Sequence, residues 1–387
     1  MRVERHQGEG HLSRIARLAD AFEPLSAASQ RLPSTMVGNF LTWNRTPMPT
    51  AGKTRRVIIS VLSCIATAAL LVLLPRAVGT SWMTVGAILG RIPLTGMAAL
   101  TVVWIAGLWA HSWVLAASLP GLTKRRGMTL SLTGSAVANV LPLGGAVGTG
   151  LNYAMTRRWG FSPGAFGGFL AITTLINVVA KLGVVAVALA LTPLLHTATA
   201  LPVGRTALLL VPVVAALAAV GWYLASQSAA VRAGRALDRI IRIVHGKATS
   251  SNSLPQLRTS MLGLLRRGWR PMTLGMVAYL TLQLALLWLC FALLGTSIGL
   301  PVLITGLAVE RLLTLIPVTP GGAGVVEVGT AAALVALGGD PAAVTAGMVL
   351  FRGFTYLLEI PVGGVTLALW LVHDRRRSRT AAGAVTV

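Results

Sequence analysis

The chain has 387 residues, 55% of them apolar and only 11% charged, with a mean hydropathy of +0.75. That balance excludes an ordinary soluble domain and marks an integral membrane protein. The formal net charge of +23 would suggest nucleic acid in a soluble protein, but the basic residues cluster between apolar runs and instead encode membrane orientation.

Residues 1–56 carry nine Lys/Arg and four acids ahead of the first apolar run, which starts too late for a cleavable signal peptide. They read as a basic cytoplasmic tail. Val57–Leu74 is the first predicted span, 18 residues without a charge. Residues 75–92 follow outside, with Trp82 and Ser81–Ile92 at the interface. The second span, about Pro93–Leu119, returns to the basic Lys124-Arg125-Arg126. Further spans are expected at about Ala165–Leu195, Thr206–Leu224, Met272–Leu294 and Ala342–Val372. No alternating strand pattern of a β-barrel is visible.

Between these spans lie two broken apolar segments. The first contains Gly134-Ser-Ala-Val, Pro142-Leu-Gly144-Gly145-Ala-Val-Gly148 and Gly160-Phe-Ser-Pro163. The second contains Gly306-Leu-Ala-Val, Pro317, Pro320-Gly321-Gly322-Ala-Gly324 and Gly338-Gly-Asp-Pro341. Gly134 to Gly306 is 172 residues, Pro142 to Pro317 is 175, Gly145 to Gly322 is 177 and Pro163 to Pro341 is 178. Repeated apolar segments interrupted by Gly and Pro point to a central transporter site.

Basic clusters flank residues 128–158 at both ends, whereas residues 301–338 lack them. The two hairpins should therefore enter from opposite faces, as inverted repeats do. Ordinary kinked helices or fully spanning hairpins are the alternatives. The expected fold is an all-α polytopic membrane protein with about six spanning helices and two re-entrant or broken hairpins. The first half covers 57–224, a basic cytoplasmic loop 225–270, the second half 271–372 and a cytoplasmic tail 373–387. In the loop, Arg232, Arg235, Arg239 and Arg242 repeat at helical spacing opposite an apolar face. That pattern suits either an anionic lipid surface or a solvated helix.

Six charges fall inside the apolar segments: Lys181, Glu310, Arg311, Glu327, Arg352 and Glu359. They sum to zero, and each must pair or face water. Glu327 should sit in the first turn of a helix starting near Gly324, where its charge suits the dipole. Arg352 and Glu359 are seven apart and should share a helix face. The six could be internal ion pairs alone, or a working site. Lys181 could also snorkel toward the membrane surface. His111 reads as a proton relay or as a packing histidine. Cys64 and Cys290, both in apolar segments, read as two buried inert thiols, with a disulfide as the alternative. No metal-ligand cluster is apparent, and no cofactor or enzymatic activity is expected.

Asn139-Val-Leu-Pro142-Leu-Gly-Gly-Ala-Val-Gly148, followed by Arg157-Arg158-Trp-Gly160-Phe-Ser-Pro163, resembles the first signature of the lysylphosphatidylglycerol synthase transmembrane-region family, also called flippase-like or UPF0104 membrane proteins. Pro317-Val-Thr-Pro320-Gly-Gly-Ala-Gly-Val-Val-Glu327 resembles the second, and Arg352 a third. Many relatives place a Glu after the first motif's glycine, where this chain has Thr149. The resemblance implies an inner-membrane, multi-pass protein that moves or handles lipids, without the aminoacyl transferase domain of the founding fusions.

On this reading a phosphate-bearing lipid or lipid-linked glycan crosses between the hairpins. Pro142, Gly144, Gly145, Gly148, Pro320, Gly321, Gly322, Gly324, Glu327 and Arg352 form its site, and Lys181, Glu310, Arg311 and Glu359 a surrounding charge network. The expected partners are that lipid and an anionic membrane surface, with an envelope-assembly enzyme or a second copy as further candidates and no nucleic acid. A non-transporting subunit supporting a glycosyltransferase or envelope-assembly enzyme, and a small-solute secondary transporter, are the alternatives.

Overall fold

The computed structural model describes residues 72–77, 79–141, 144–192, 203–229, 231–232, 253–315 and 319–383; every description below concerns these. Their regular elements are helical, as a chain without water to satisfy its backbone requires. In order they are α1 (Trp82–Leu89), α2 (Leu94–Ser118), α3 (Lys124–Val140), α4 (Gly144–Arg158), α5 (Pro163–Leu191), α6 (Val203–Ala225), α7 (Ser253–Leu293), α8 (Leu300–Leu313), a 3-10 turn (Pro320–Gly322), α9 (Val325–Ala336), α10 (Pro341–Arg352), a π turn (Gly353–Leu357) and α11 (Glu359–Gly383).

Five stretches are long and apolar enough to cross a bilayer: Leu94–Ser118, Pro163–Leu191, Leu208–Ala225, Leu257–Leu293 and Pro341–Asp374. They match five of the six expected spans. Most of the sixth, Val57–Leu74, lies outside the described residues, as do the 1–56 tail, Cys64 and all but Arg232 of the four loop arginines. Cys290 is a buried free thiol. Large apolar side chains on the rim, such as Val102, Leu208, Leu209, Val211, Leu274 and Val277, are exposed, as a lipid-facing surface must be.

The centre is an antiparallel pair, α2 and α7. Gly96 packs against Leu293, Gly107 against Leu282, Gly275 against Ala110 and Val114, and Gly268 against Ala117. Small residues let the two backbones approach, which is how helices gain packing in lipid. The remaining neighbours fall into matched sets. The arms α3 and α4 pack on each other, as do α8 and α9; α2 packs on α5 as α7 packs on α10. The first arm of each hairpin then lies on the long helix of the other repeat: α3 on α11, and α8 on α5. This is the self-complementary pattern of two repeats about a pseudo-twofold axis. Because α2 and α7 run antiparallel, the repeats are inverted.

The junction after each hairpin is built alike. Gly160 (φ 90°) and Gly338 (φ 93°) turn the chain through the left-handed region, where a side chain is costly. Ser162 and Asp340 then cap the next helix, accepting from Ala165 N at 3.1 Å and Ala343 N at 2.9 Å, with Pro163 and Pro341 at its first position.

The arms are short: 17 and 15 residues in α3 and α4, 14 and 12 in α8 and α9. At 1.5 Å per residue they reach about 18–25 Å, less than the roughly 30 Å of hydrocarbon. Their tips meet. The 3-10 turn of the second hairpin touches both α3 and α4, and Gly321 lies against Asn139. Both segments are thus broken helical hairpins with arms shorter than the hydrocarbon and with tips that meet, the form a re-entrant hairpin takes.

One end of the bundle is basic and aromatic. Lys124 Nζ sits 3.6 Å from the centroid of the Trp113 ring, Arg126 lies over Trp159, and Arg158 pairs with Asp374 at 3.5 Å. Arg258 donates to the carbonyls of Tyr223 and Leu224, closing the end of α6. The opposite end carries only Arg76, Arg91 and Asp340 among the described charged side chains. This geometry gives a first expected result. Single cysteines at positions 126 and 157 label from one side of a sealed membrane, and those at 296 and 340 from the other. Labelling of 126 and 157 from different sides would remove the re-entrant assignment.

Candidate functional site

The second hairpin turns through three residues in the left-handed region: Gly321 (φ 59°), Gly322 (φ 74°) and Gly324 (φ 85°). Thr319 Oγ1 donates to Ala323 O at 2.8 Å and pins the loop. Gly324 N–H donates to Glu327 Oε2 at 2.6 Å. Glu327 therefore occupies the first turn of α9, as the sequence suggests, and uses one carboxylate oxygen to satisfy a free helix-start donor.

At the first hairpin, Leu141 ends the visible part of the first arm, and Pro142 lies outside the described residues. Gly144 faces the Ala138 backbone, and a side chain at Gly148 would meet Gly134 O at 2.7 Å. Both glycines hold the arms together. Gly145 has open space around it and is exposed at the start of α4. Pro320 opens the 3-10 turn that carries Gly321 and Gly322 to the other tip.

Behind the tips lies the charge cluster. Arg352, at the end of α10, is buried, as are Glu310 and Glu327. Its Nε donates to Glu327 Oε1 at 2.7 Å, its Nη1 is 3.8 Å from Glu310 Oε1, and its Nη2 donates to Gly321 O at 3.3 Å. One planar guanidinium thus ties α8, α9 and the turn between them, a task suited to its rigid fork of donors. Arg311 Nε lies 3.1 Å from Glu310 Oε2, an ionic contact without hydrogen-bond alignment, and its guanidinium stands over the Tyr279 ring at 6.0 Å. Pairing offsets the cost of burying these charges, so removing one partner is far costlier than removing all.

Two members of the set stand apart. Lys181 Nζ donates to Thr314 Oγ1 at 3.0 Å, and Glu359 is half-buried at the start of α11. Neither has an opposite charge within ion-pair distance among the described residues. Each lies 18 residues after the proline that starts its long helix, but only the second helix has a π turn between the two positions. Arg352 and Glu359, which the spacing of seven puts on one helix face, make no ion pair. The π turn Gly353–Leu357 intervenes, and each residue inserted into a helix rotates the remainder of that helix by roughly 100°.

The structure adds residues that the sequence did not single out as site members. Tyr356 Oη donates to Asn139 O at 2.8 Å and Asn139 Nδ2 to Tyr356 O at 3.4 Å, closing α3 against the π turn. Tyr356 also lies under the Arg352 guanidinium, at 4.9 Å. Asn139 stood in the first motif, so its position was visible while its partner was not. His111 Nδ1 lies 3.3 Å from Ser131 Oγ, with its ring 5.0 Å from that of Tyr279.

No curated protein matches the chain. The tip-to-tip glycine hairpins and the acid after the second glycine turn are what the quoted signatures would build. The sequence model of the lysylphosphatidylglycerol synthase TM region matches residues 56–363, and the chain belongs to that family.

Proposed function

We infer that the protein is a translocase for a lipid or lipid-linked glycan with a phosphate-bearing headgroup. The observation that carries this reading is the meeting of two inverted, re-entrant hairpins beside a buried set of charges. A polar path across hydrocarbon needs irregular backbone and charge at the midplane, enclosed by protein, and membrane proteins hold these together where something polar crosses. The family's association with lipid handling supports the class of cargo.

On this reading the headgroup passes between the tips while its acyl chains stay in the bilayer. The backbone N–H at Gly145 and the cations Lys181, Arg311 and Arg352 meet its phosphate, whereas the Gly322 N–H, also expected to do so, is already held by Thr319 O at 3.0 Å. The carboxylates Glu310, Glu327 and Glu359 balance them. The basic end faces the cytoplasm of a cell inner membrane, so both termini are cytoplasmic and anionic lipid gathers there. The protein acts without a cofactor and catalyses no covalent step.

A second reading has its own support. All three guanidinium nitrogens of Arg352 are engaged by protein acceptors, as in a sealed structural core. That arrangement suits a non-transporting subunit supporting an envelope enzyme. Purified protein in liposomes with a labelled anionic lipid separates the two. Translocation is expected well above protein-free liposomes, and Glu327→Gln is expected to cut translocation per folded molecule by about tenfold or more, a loss of roughly 1.4 kcal/mol in the transition state, with thermal stability measured alongside because Arg352 loses a partner. A parent protein that moves no phosphate-bearing lipid removes the translocase reading and leaves the subunit.

A further inference from the structure

A polar cluster lies beside the tip charges, where α2, α3, α7 and α8 meet. His111 Nδ1 of α2 is 3.3 Å from Ser131 Oγ of α3, and the His111 ring is 5.0 Å from that of Tyr279 of α7. Gln283 Nε2, one turn along α7, donates to Tyr279 Oη at 3.0 Å. The Arg311 guanidinium of α8 stands over the same ring at 6.0 Å. Tyr279 thus touches Gln283 with its hydroxyl and Arg311 with its face. Gly107, near the middle of α2, packs against Leu282 and Tyr279, so the cluster lies deep in the membrane. Glu310, which faces both Arg311 and Arg352, joins it to the second hairpin tip.

Buried polar atoms in a native protein are hydrogen-bonded, because one left alone keeps its full desolvation cost. Here three are not. Gln283 is only 8% exposed, yet its Oε1 accepts no hydrogen bond among the described residues. Glu310 Oε2 and Arg311 Nε lie 3.1 Å apart without alignment, so neither atom completes a hydrogen bond. Two of the three atoms accept and one donates.

That mixture selects a ligand class. A phosphodiester oxygen only accepts and an ammonium only donates, whereas a hydroxyl does both. Charge points the same way. Glu310 already faces two guanidiniums, so it is not a spare anion for an amine headgroup. The geometry points to this cluster as a subsite for the hydroxyls of a sugar or cyclic polyol in the headgroup, with Gln283 as the residue that sets the preference. Gln283 Oε1 and Glu310 Oε2 accept from hydroxyl protons, and Arg311 Nε donates to a hydroxyl oxygen. No covalent bond changes. The subsite rests on the translocase reading and narrows its cargo to a lipid whose phosphate carries a hydroxyl-bearing ring.

The test measures binding of short-chain lipids to the purified protein in detergent. Phosphatidylinositol carries a ring of hydroxyls on its phosphodiester, phosphatidylmethanol has the same charge and no hydroxyl, and phosphatidylethanolamine adds an ammonium. The parent should bind phosphatidylinositol about tenfold or more tightly than phosphatidylmethanol, since a site built to bond a hydroxyl rejects the analogue without one. Gln283→Leu keeps the approximate bulk and removes both polar ends of the amide. It should shrink that preference to about threefold or less and leave the affinity for phosphatidylmethanol unchanged. Should that variant not fold, Tyr279→Phe serves with the same expectation, because it keeps the ring and drops the hydroxyl that holds Gln283. Equal affinity of the parent for phosphatidylinositol and phosphatidylmethanol overturns the proposal. So does a preference undiminished in both variants, a parallel loss of both affinities, or tighter binding of phosphatidylethanolamine than of phosphatidylinositol. The preference without translocation in liposomes would leave the subsite standing and remove the translocase reading. Translocation without the preference would do the reverse.

Discussion

Arg352→Met will leave two buried carboxylates, Glu310 and Glu327, facing each other without their shared cation. Breaking a buried pair by removing one partner costs about 3–5 kcal/mol, so the variant should unfold at a much lower temperature or fail to yield dispersed protein in detergent. The same substitution combined with Glu327→Gln removes the stranded charge as well, while Glu310 keeps Arg311 at 3.1 Å, and that double variant should recover most of the loss. The recovery separates two roles that a single substitution confounds. Restored stability with no translocation assigns the charges to the transport step. Restored stability with normal translocation makes them internal electrostatics. Arg352→Lys is a weaker test, because one ammonium cannot reach three acceptors held in the plane of a guanidinium.

Gly321→Val is the second large expected effect. A side chain there would overlap the Tyr356 ring and lie 2.9 Å from Asn139 Oδ1, on a backbone with φ 59°. The left-handed conformation costs an L-residue about 1–2 kcal/mol and the overpacking about 1–3 more. Together these should push the hairpin tips apart with a loss of roughly 2–5 kcal/mol. Adding Tyr356→Ala opens space for the new methyls, so the double variant should regain the packing share and retain the backbone share. Thermal unfolding of the single and double variants measures both. Equal stability of Gly321→Val and the parent would mean that the tips do not touch in the membrane.

The repeat was legible because its junctions obey local rules. A left-handed glycine, a capping Ser or Asp and a proline at the helix start must lie close together in sequence, so Gly160-Phe-Ser-Pro163 and Gly338-Gly-Asp-Pro341 advertise themselves. The direction of each hairpin was legible from where the cations stop. Glu327 could be placed because its partner, Gly324 N, is three residues away. The ion pairs were hidden for the opposite reason. Arg352 reaches Glu327 across 25 residues and Glu310 on a third helix, and no periodicity relates them. Between Arg352 and Glu359 lies a π turn, which leaves no trace in a pattern of apolar residues. Gly144 and Gly148 were legible as glycines of the repeated broken motif, while the close packing of the two hairpin arms at both positions was not.

The exchange of neighbours between the two repeats sets a schedule for biosynthesis. Asn139 is joined to Tyr356 across 217 residues of chain, and the arm that carries it rests on α11. Ribosomes add about 5–20 residues per second, so the first hairpin waits roughly 10–40 s before its partner helix exists. Through that interval its broken backbone and its Ser131, Ser135 and Asn139 face the bilayer or the insertion machinery. The second hairpin has no such wait, because α5, on which it packs, is already in place when α8 emerges. The nascent first half is therefore the stage at which this protein depends most on an insertase or lipid chaperone, and at which quality-control proteases have longest to act.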